Sequence, residues 1–310
     1  MTIQPYIIIF INCLIALLAI AFYTLLERKL LGAIQLRKGP NKVRIIGLTQ
    51  PIIDAIKLLV KEPLAPLASN IPAFFLAPIM TLTLILILWA IYPYPTPSRF
   101  FNYGILFFLC ISRLNVYTTL AAGWASNSKY ALLGAIRGVA QTISYEVGIA
   151  LILLTTLSSL SSFDLNLILD TNVIPAIFIL YPTFFIWFIT CLAETNRTPF
   201  DLLEGESELV SGFNIEYRGG AFALLFIAEY IRIIFLSLIS RLLFLIFQIP
   251  LEIRLFLMPL TTTAIRILFI WARGFLPRLR YDQLIRLIWK SILPLSIAML
   301  TATLAILFNI

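Results

Sequence analysis

The sequence predicts an all-α membrane protein of about eight transmembrane helices, with one short amphipathic helix lying at the interface. Hydrophobic residues fill 61% of the 310 positions and charged residues only 12%, more apolar surface than a water-soluble core of this size can absorb. The runs Met1–Leu26, Pro63–Ser98, Thr171–Ala193 and Ser291–Ile310 carry no charge, and each is long enough to cross a hydrocarbon core, which takes about 20 helical residues. The charged residues collect in the intervals between apolar runs.

Taken in order, the expected spans are 2–26, 71–92, 100–122, 137–160, 172–193, 219–247, 251–272 and 284–308. The first lacks a basic n-region, outruns the ~7–15 residue apolar core of a cleaved signal, and leads into Glu27-Arg28-Lys29, so it is expected to stay in the mature protein. No Arg-rich, Ser-rich presequence is seen, which fits synthesis inside an organelle if the chain works in one. In the first loop, Ile52, Ile53, Ile56, Leu59 and Val60 share one helical stripe while Asp54, Lys57 and Lys61 share another; Pro51 and Pro63 bracket the segment. Such a helix lies flat in the interface. Gly134 and Gly138 form a small-xxx-small packing pair. With no repeat or linker, residues 1–310 read as a single membrane domain.

Eight crossings put both termini on one face and the odd-numbered loops on the other. Those loops (27–70, 123–137, 194–218 and 273–282) hold 15 of the 23 Lys and Arg, which places them on the side of synthesis. Within that basic set the fifth loop is the exception. From Glu194 to Arg218 it has six acids against two arginines, a net charge of −4, where the first, third and seventh loops come to +5, +2 and +2.

A charge run often is only a solvated surface. Here the loop is also rich in apolar residues (Phe200, Leu202, Leu203, Leu209, Val210, Phe213), and acids continue into the spans as Glu146 and Glu229. Crowded, partly dry carboxylates share protons, and an ionised acid within a span costs at least ~2.5–3.5 kcal/mol unless paired or hydrated. Arg232, one turn from Glu229, is a candidate local partner; Arg113 and Arg266 either snorkel or pair. The basic seventh loop fits positive-inside anchoring, or docking of a soluble partner.

Several chemistries are set aside. The net charge of +8 sits in short loops rather than on one soluble face, which argues against nucleic acid. Cys13, Cys110 and Cys191 lie far apart in apolar sequence without CxxC spacing, and histidine is absent. Without nucleotide fingerprints or clustered metal ligands, no flavin, iron–sulfur or metal site is expected on this chain.

Leu192-Ala-Glu-Thr-Asn-Arg-Thr-Pro-Phe-Asp201 and Glu204-Gly-Glu-Ser-Glu-Leu-Val-Ser-Gly-Phe-Asn-Ile-Glu-Tyr217 resemble the chain 1 family of NADH-ubiquinone oxidoreductase, the quinone-site membrane subunit of respiratory complex I. The resemblance extends through Glu27-Arg-Lys-Leu-Leu-Gly32, Gln35-Leu-Arg-Lys-Gly-Pro-Asn41, Gly123-Trp-Ala-Ser-Asn-Ser128, Gln141-Thr-Ile-Ser-Tyr-Glu-Val147 and Pro277-Arg-Leu-Arg-Tyr-Asp-Gln283 with Trp289-Lys290.

It implies a helix bundle with a tunnel for the substrate ubiquinone, seated in the mitochondrial inner membrane with odd loops facing the matrix and both termini facing the intermembrane space. The implied partners are the quinone-site and iron–sulfur subunits of the soluble arm, adjacent small and antiporter-like membrane subunits, and the lipid bilayer. Glu27, Arg28, Arg37, Asp54, Lys57 and Glu62 would lie around the tunnel and its mouth; Glu194, Arg197, Asp201, Glu204, Glu206 and Glu208 beside the quinone chamber; Glu146 and Glu229 at the start of a polar axis. Arg113, Arg232 and Arg266 stand outside the family pattern, and a cation beside Glu229 would hold that acid ionised. Two rivals remain: a stand-alone secondary transporter or proton channel, which would show broken helices or an inverted repeat, and a scaffold whose acids serve only for docking.

Overall fold

The computed structural model describes residues 4–43, 46–93, 102–171, 175–201, 212–246 and 251–309. Glu204, Glu206 and Glu208 lie outside the described residues. The described chain is helical throughout: α1 (Gln4–Ile34), α2 (Gln50–Val60), α3 (Ile71–Leu88, prolonged by a 3-10 turn at Trp89–Ile91), α4 (Gly104–Ala125), α5 (Lys129–Leu160), α6 (Leu165–Thr171), α7 (Ala176–Ile179), α8 (Tyr181–Glu194), a 3-10 turn at Gly212–Glu216, α9 (Gly220–Phe244), α10 (Leu251–Phe275), α11 (Tyr281–Leu287), a π turn at Ile288–Ile292, and α12 (Leu293–Asn309).

Among the described residues seven helices are long and apolar enough to cross a membrane, and the fifth expected span is the exception. The helix expected over 172–193 breaks at Leu180 (φ −111°, ψ 40°), and only the 14 residues Tyr181–Glu194 form a continuous apolar helix. Pro182 explains the break, because it has no N–H to donate and its ring collides with the carbonyl of the preceding turn. Two other boundaries move by eight residues. Helix α1 runs through Glu27-Arg28-Lys29 to Ile34, and α5 starts at Lys129 instead of 137. In both places charged residues continue the helix because good helix formers surround them and their heads find partners or solvent.

Helix α9 is the axis of the bundle, the most buried of the spans, and packs against α1, α2, α3 and α10. Its Ile231, Ile234, Phe235, Leu236, Leu242 and Phe244 are almost wholly buried. Helix α5 forms the second spine, against α4, α8, α12 and the Gly212–Glu216 turn; Trp187 Nε1 of α8 donates to Ser240 Oγ of α9 at 2.8 Å. Helix α1 and the last span are peripheral, exposing Phe10, Leu18 and Phe308. Lipid supplies no hydrophobic drive between helices, so close apolar packing and such hydrogen bonds hold the bundle. Ionic groups on α9 therefore sit inside protein rather than against lipid.

Helix α2 has no buried residue, and its Ile52, Ile56, Leu59 and Val60 are exposed, as an interfacial helix requires. Its end is seated on Gly219, whose φ of +62° favours glycine and where a Cβ would stand 2.7 Å from the Lys61 carbonyl oxygen.

Candidate functional site

The start of the acidic segment is pinned to α5. Gln141, fully buried, donates Nε2 to the carbonyls of Ala193 (3.1 Å) and Phe200 (2.8 Å), and Tyr145 meets Phe200 edge-on at 5.8 Å. Past the undescribed residues the chain returns to the same helix. Gly212 crosses α5 at Gly134, where a Cβ would come within 2.9 Å of the Gly212 Cα. Gly134, expected to serve helix packing, thus admits the loop backbone. Tyr217 closes this end, stacked on Phe74 at 4.2 Å and donating to the Ala122 carbonyl at 3.2 Å. Burial pushes its phenol pKa up, so it remains a donor.

Arg197 turns inward from this segment. Its guanidinium lies 4.5 Å from the Tyr230 ring centroid and 5.9 Å from that of Phe226, a cation–π geometry, and its Nη2 stands 3.7 Å from Glu229 Oε2. Tyr230 donates its hydroxyl to Glu27 Oε2 at 2.7 Å, and Arg273 donates Nη1 to Glu27 Oε1. One buried network therefore joins the acidic segment, α9, α1 and α10. A cavity of about 10 Å³ touches Glu27, Arg197 and Arg273, room for a single water at most and far too small for a quinone ring.

A second group lies at the end of α8. Glu194 and Glu146 are both buried; Arg113 of α4 and Arg232 of α9 act on Glu146, and Arg232 and Glu146 act on Glu194. Arg232 was a candidate partner for Glu229. Instead it donates Nη1 to the Glu194 carbonyl at 3.3 Å, while Arg197 stands against Glu229. The sequence spacing suggested the wrong pairing because α8 ends beside Arg232 in space. Arg266 pairs within the bundle, its Nε donating to Ser237 Oγ at 3.1 Å.

The seventh loop closes over the fifth. Arg278 Nη2 meets Asp201 Oδ2 at 2.8 Å, and the Leu279 N–H donates to the Pro199 carbonyl at 3.0 Å. Two of its arginines are thus internal counter-ions, a use that neither anchoring nor partner docking anticipates. The signal was the opposite net charge of two loops on one side. Beyond Glu27 the first-loop residues stay outside this assembly: Arg28 Nη1 bridges to Asp54 Oδ2 at 2.6 Å with 56% of its side chain exposed, Arg37 meets Gln35, and Lys57 and Glu62 are exposed. Among the described residues no group of three or more His, Cys, Asp or Glu is placed to hold a metal ion.

A family model described as NADH dehydrogenase matches residues 7–304. The chain belongs to the NADH dehydrogenase family. It is 52% identical to a protein from Aedes aegypti named NADH-ubiquinone oxidoreductase chain 1, over 91% of this chain and 89% of that one. Proteins of the same name from Emballonura alecto (54% identical; 91% and 90% covered) and Zaedyus pichiy (52%; 93% of each) are similar to the same extent. The NADH dehydrogenase match runs from α1 into α12 and takes in both buried groups, so the resemblance drawn from the motifs is borne out at the level of the family.

Proposed function

We propose that this chain is the quinone-site membrane subunit of a proton-pumping NADH-ubiquinone oxidoreductase, part of the respiratory chain of the mitochondrial inner membrane. The reading rests on the family match, and its mechanistic part on one observation: Arg197 belongs by its backbone to the acidic segment and by its guanidinium to Glu229 and Tyr230. A shift of the segment moves a cation relative to a carboxylate inside the bundle, and a moved charge changes that acid's proton affinity.

Reduction of ubiquinone to the quinol takes two electrons and two protons, and draws protons toward the ring. Soluble-arm subunits deliver the electrons and complete the chamber, since the cavity beside Glu27 and Arg197 is far too small for the ring. The acidic segment, with Glu194, Asp201 and the carboxylates Glu204, Glu206 and Glu208, answers the proton demand. Glu194 hands the change to Glu146, whose field it shares; Arg197 hands it to Glu229. Glu27, bound by Tyr230 and Arg273, holds the frame in which Arg197 moves. The odd-numbered loops face the matrix, where the arm docks, and adjacent membrane subunits receive the signal.

The test is the number of protons moved per NADH oxidised by the reconstituted complex carrying Glu229→Gln or Glu146→Gln. Electron transfer that persists with reduced pumping is the expected result. Full pumping in both variants overturns the relay.

A further inference from the structure

Glu216 is the last acid of the acidic segment, and Arg218 follows two residues on. Tyr217 between them is held from behind, stacked on Phe74 of α3 and bonded to the Ala122 carbonyl of α4. These three residues form one wall of a cavity of about 310 Å³, and Leu64, Ala65 and Pro66 form the other. Its volume falls in the range of about 300–1,000 Å³ that holds small ligands.

Both walls are fixed in place. The Asn70 N–H donates to the Ala125 carbonyl at 3.0 Å and Ser69 Oγ to the Pro66 carbonyl at 2.6 Å, while Gly219 sits against the Lys61 carbonyl. A preformed cavity loses little conformational freedom when it is filled.

Three elements set its depth. Span α3 begins at Ile71, shortly after Pro66, and span α9 begins at Gly220, two residues past Arg218. The amphipathic α2 ends at Val60, just before Leu64. The cavity therefore stands where spans enter the bilayer, at the level of lipid headgroups. Apolar surface adjoins it, since Leu59, Val60, Leu64 and Leu67 are all exposed.

Charge selects the ligand. A guanidinium matches the oxygens of a phosphodiester, and a carboxylate accepts from an ammonium, which carries three N–H donors. Opposite charges two residues apart on one wall suit a headgroup that carries both. Ethanolamine supplies that ammonium, whereas choline has no N–H to donate and glycerol has no cation.

We propose that this cavity binds the headgroup of phosphatidylethanolamine, the phosphodiester at Arg218 and the ammonium at Glu216, with the acyl chains laid on Leu59, Val60, Leu64 and Leu67. The site is independent of the proton-coupling reading.

The experiment uses the assembled, delipidated complex and dioleoyl phosphatidylethanolamine carrying a photoreactive diazirine in one acyl chain, with labelled peptides mapped. Label is expected within residues 59–67. In wild-type complex, unlabelled phosphatidylethanolamine should compete at least about tenfold better than dioleoyl phosphatidylcholine or phosphatidylglycerol, the size expected of one charge-assisted hydrogen bond. R218Q should lower the label about tenfold and R218K should keep it. E216Q should erase the preference, so that phosphatidylglycerol competes as well as phosphatidylethanolamine. The wild-type competition decides the matter even where a variant fails to assemble.

Equal competition by the three lipids in wild-type complex overturns the proposal, because lipid that merely surrounds the protein behaves in that way. So does equal labelling of R218Q. Absence of wild-type label within 59–67 also overturns it, and crosslinks from another polypeptide to Glu216 or Arg218 would then mark a protein contact.

Discussion

Glu27 and Arg28 are neighbours in sequence and opposites in structure. Glu27 is 5% exposed, held by Tyr230 and Arg273; Arg28 points the other way, to Asp54 on the exposed α2. Both pairs are carboxylate–arginine contacts between helices, and both positions fall in the same family motif. What separates them is water. An exposed pair trades one set of hydrated contacts for another, whereas loss of one partner from a buried pair leaves a charge without solvent. The ionic residues of this chain therefore divide into a buried framework behind the acidic segment and a periphery around the first loop, and the division follows burial rather than position in the motif.

The largest test is Glu27→Ala, which strands Arg273 and the Tyr230 hydroxyl together. A loss of about 3 kcal/mol is expected, the low end for a broken buried pair because 31% of the Arg273 side chain reaches solvent, read as the thermal stability and assembly yield of the complex. Next is Gln141→Leu, which removes the donor shared by the Ala193 and Phe200 carbonyls. It should cost about 1–3 kcal/mol and speed hydrogen exchange across 193–200 while leaving the first loop unchanged.

Asp201→Asn and Arg278→Gln come third. That pair is partly exposed, at 14% and 28% of the two side chains, so a double-mutant cycle should return about 1 kcal/mol of coupling. Smallest is Arg28→Ala, expected to cost about 0.2–1 kcal/mol and to lose even that in high salt. Should Arg28→Ala destabilise the complex as much as Glu27→Ala, burial would not be the discriminant, and the division would fail.

Much of the architecture was legible because a bilayer leaves few choices. Charge-free runs of some twenty residues mark spans, and the stripe of Ile52, Ile56 and Leu59 marks α2. The acidic segment and the intramembrane acids stood out as violations of their surroundings. Pairings were less legible. Arg232 lies one turn from Glu229 along the chain, yet it reaches the Glu194 carbonyl, because helix–helix approach decides which groups meet. Glu27 read as the first loop residue and proved to be a helical, buried member of the network. Gln141 lay inside a recognised motif with no sign that its amide would hold two loop carbonyls. The shortness of α8 could have been anticipated from Pro182, which forbids a helix running unbroken from 172.

Gln141 and Gly134 fasten the two ends of the acidic segment to one helix, about 10 Å apart at ~1.5 Å per residue, and Glu146 rides on that helix as well. Mechanically this makes α5 a common carriage. If it tilts or slides as a rigid body, the feet of the loop and the intramembrane carboxylate travel together, with no change in their spacing. Relative motion between the segment and the bundle is then left to the side opposite α5, where Arg197 slides over the face of Tyr230. A stroke that begins in the loop would be measured at that aromatic surface, as a displacement of a charged group across a ring.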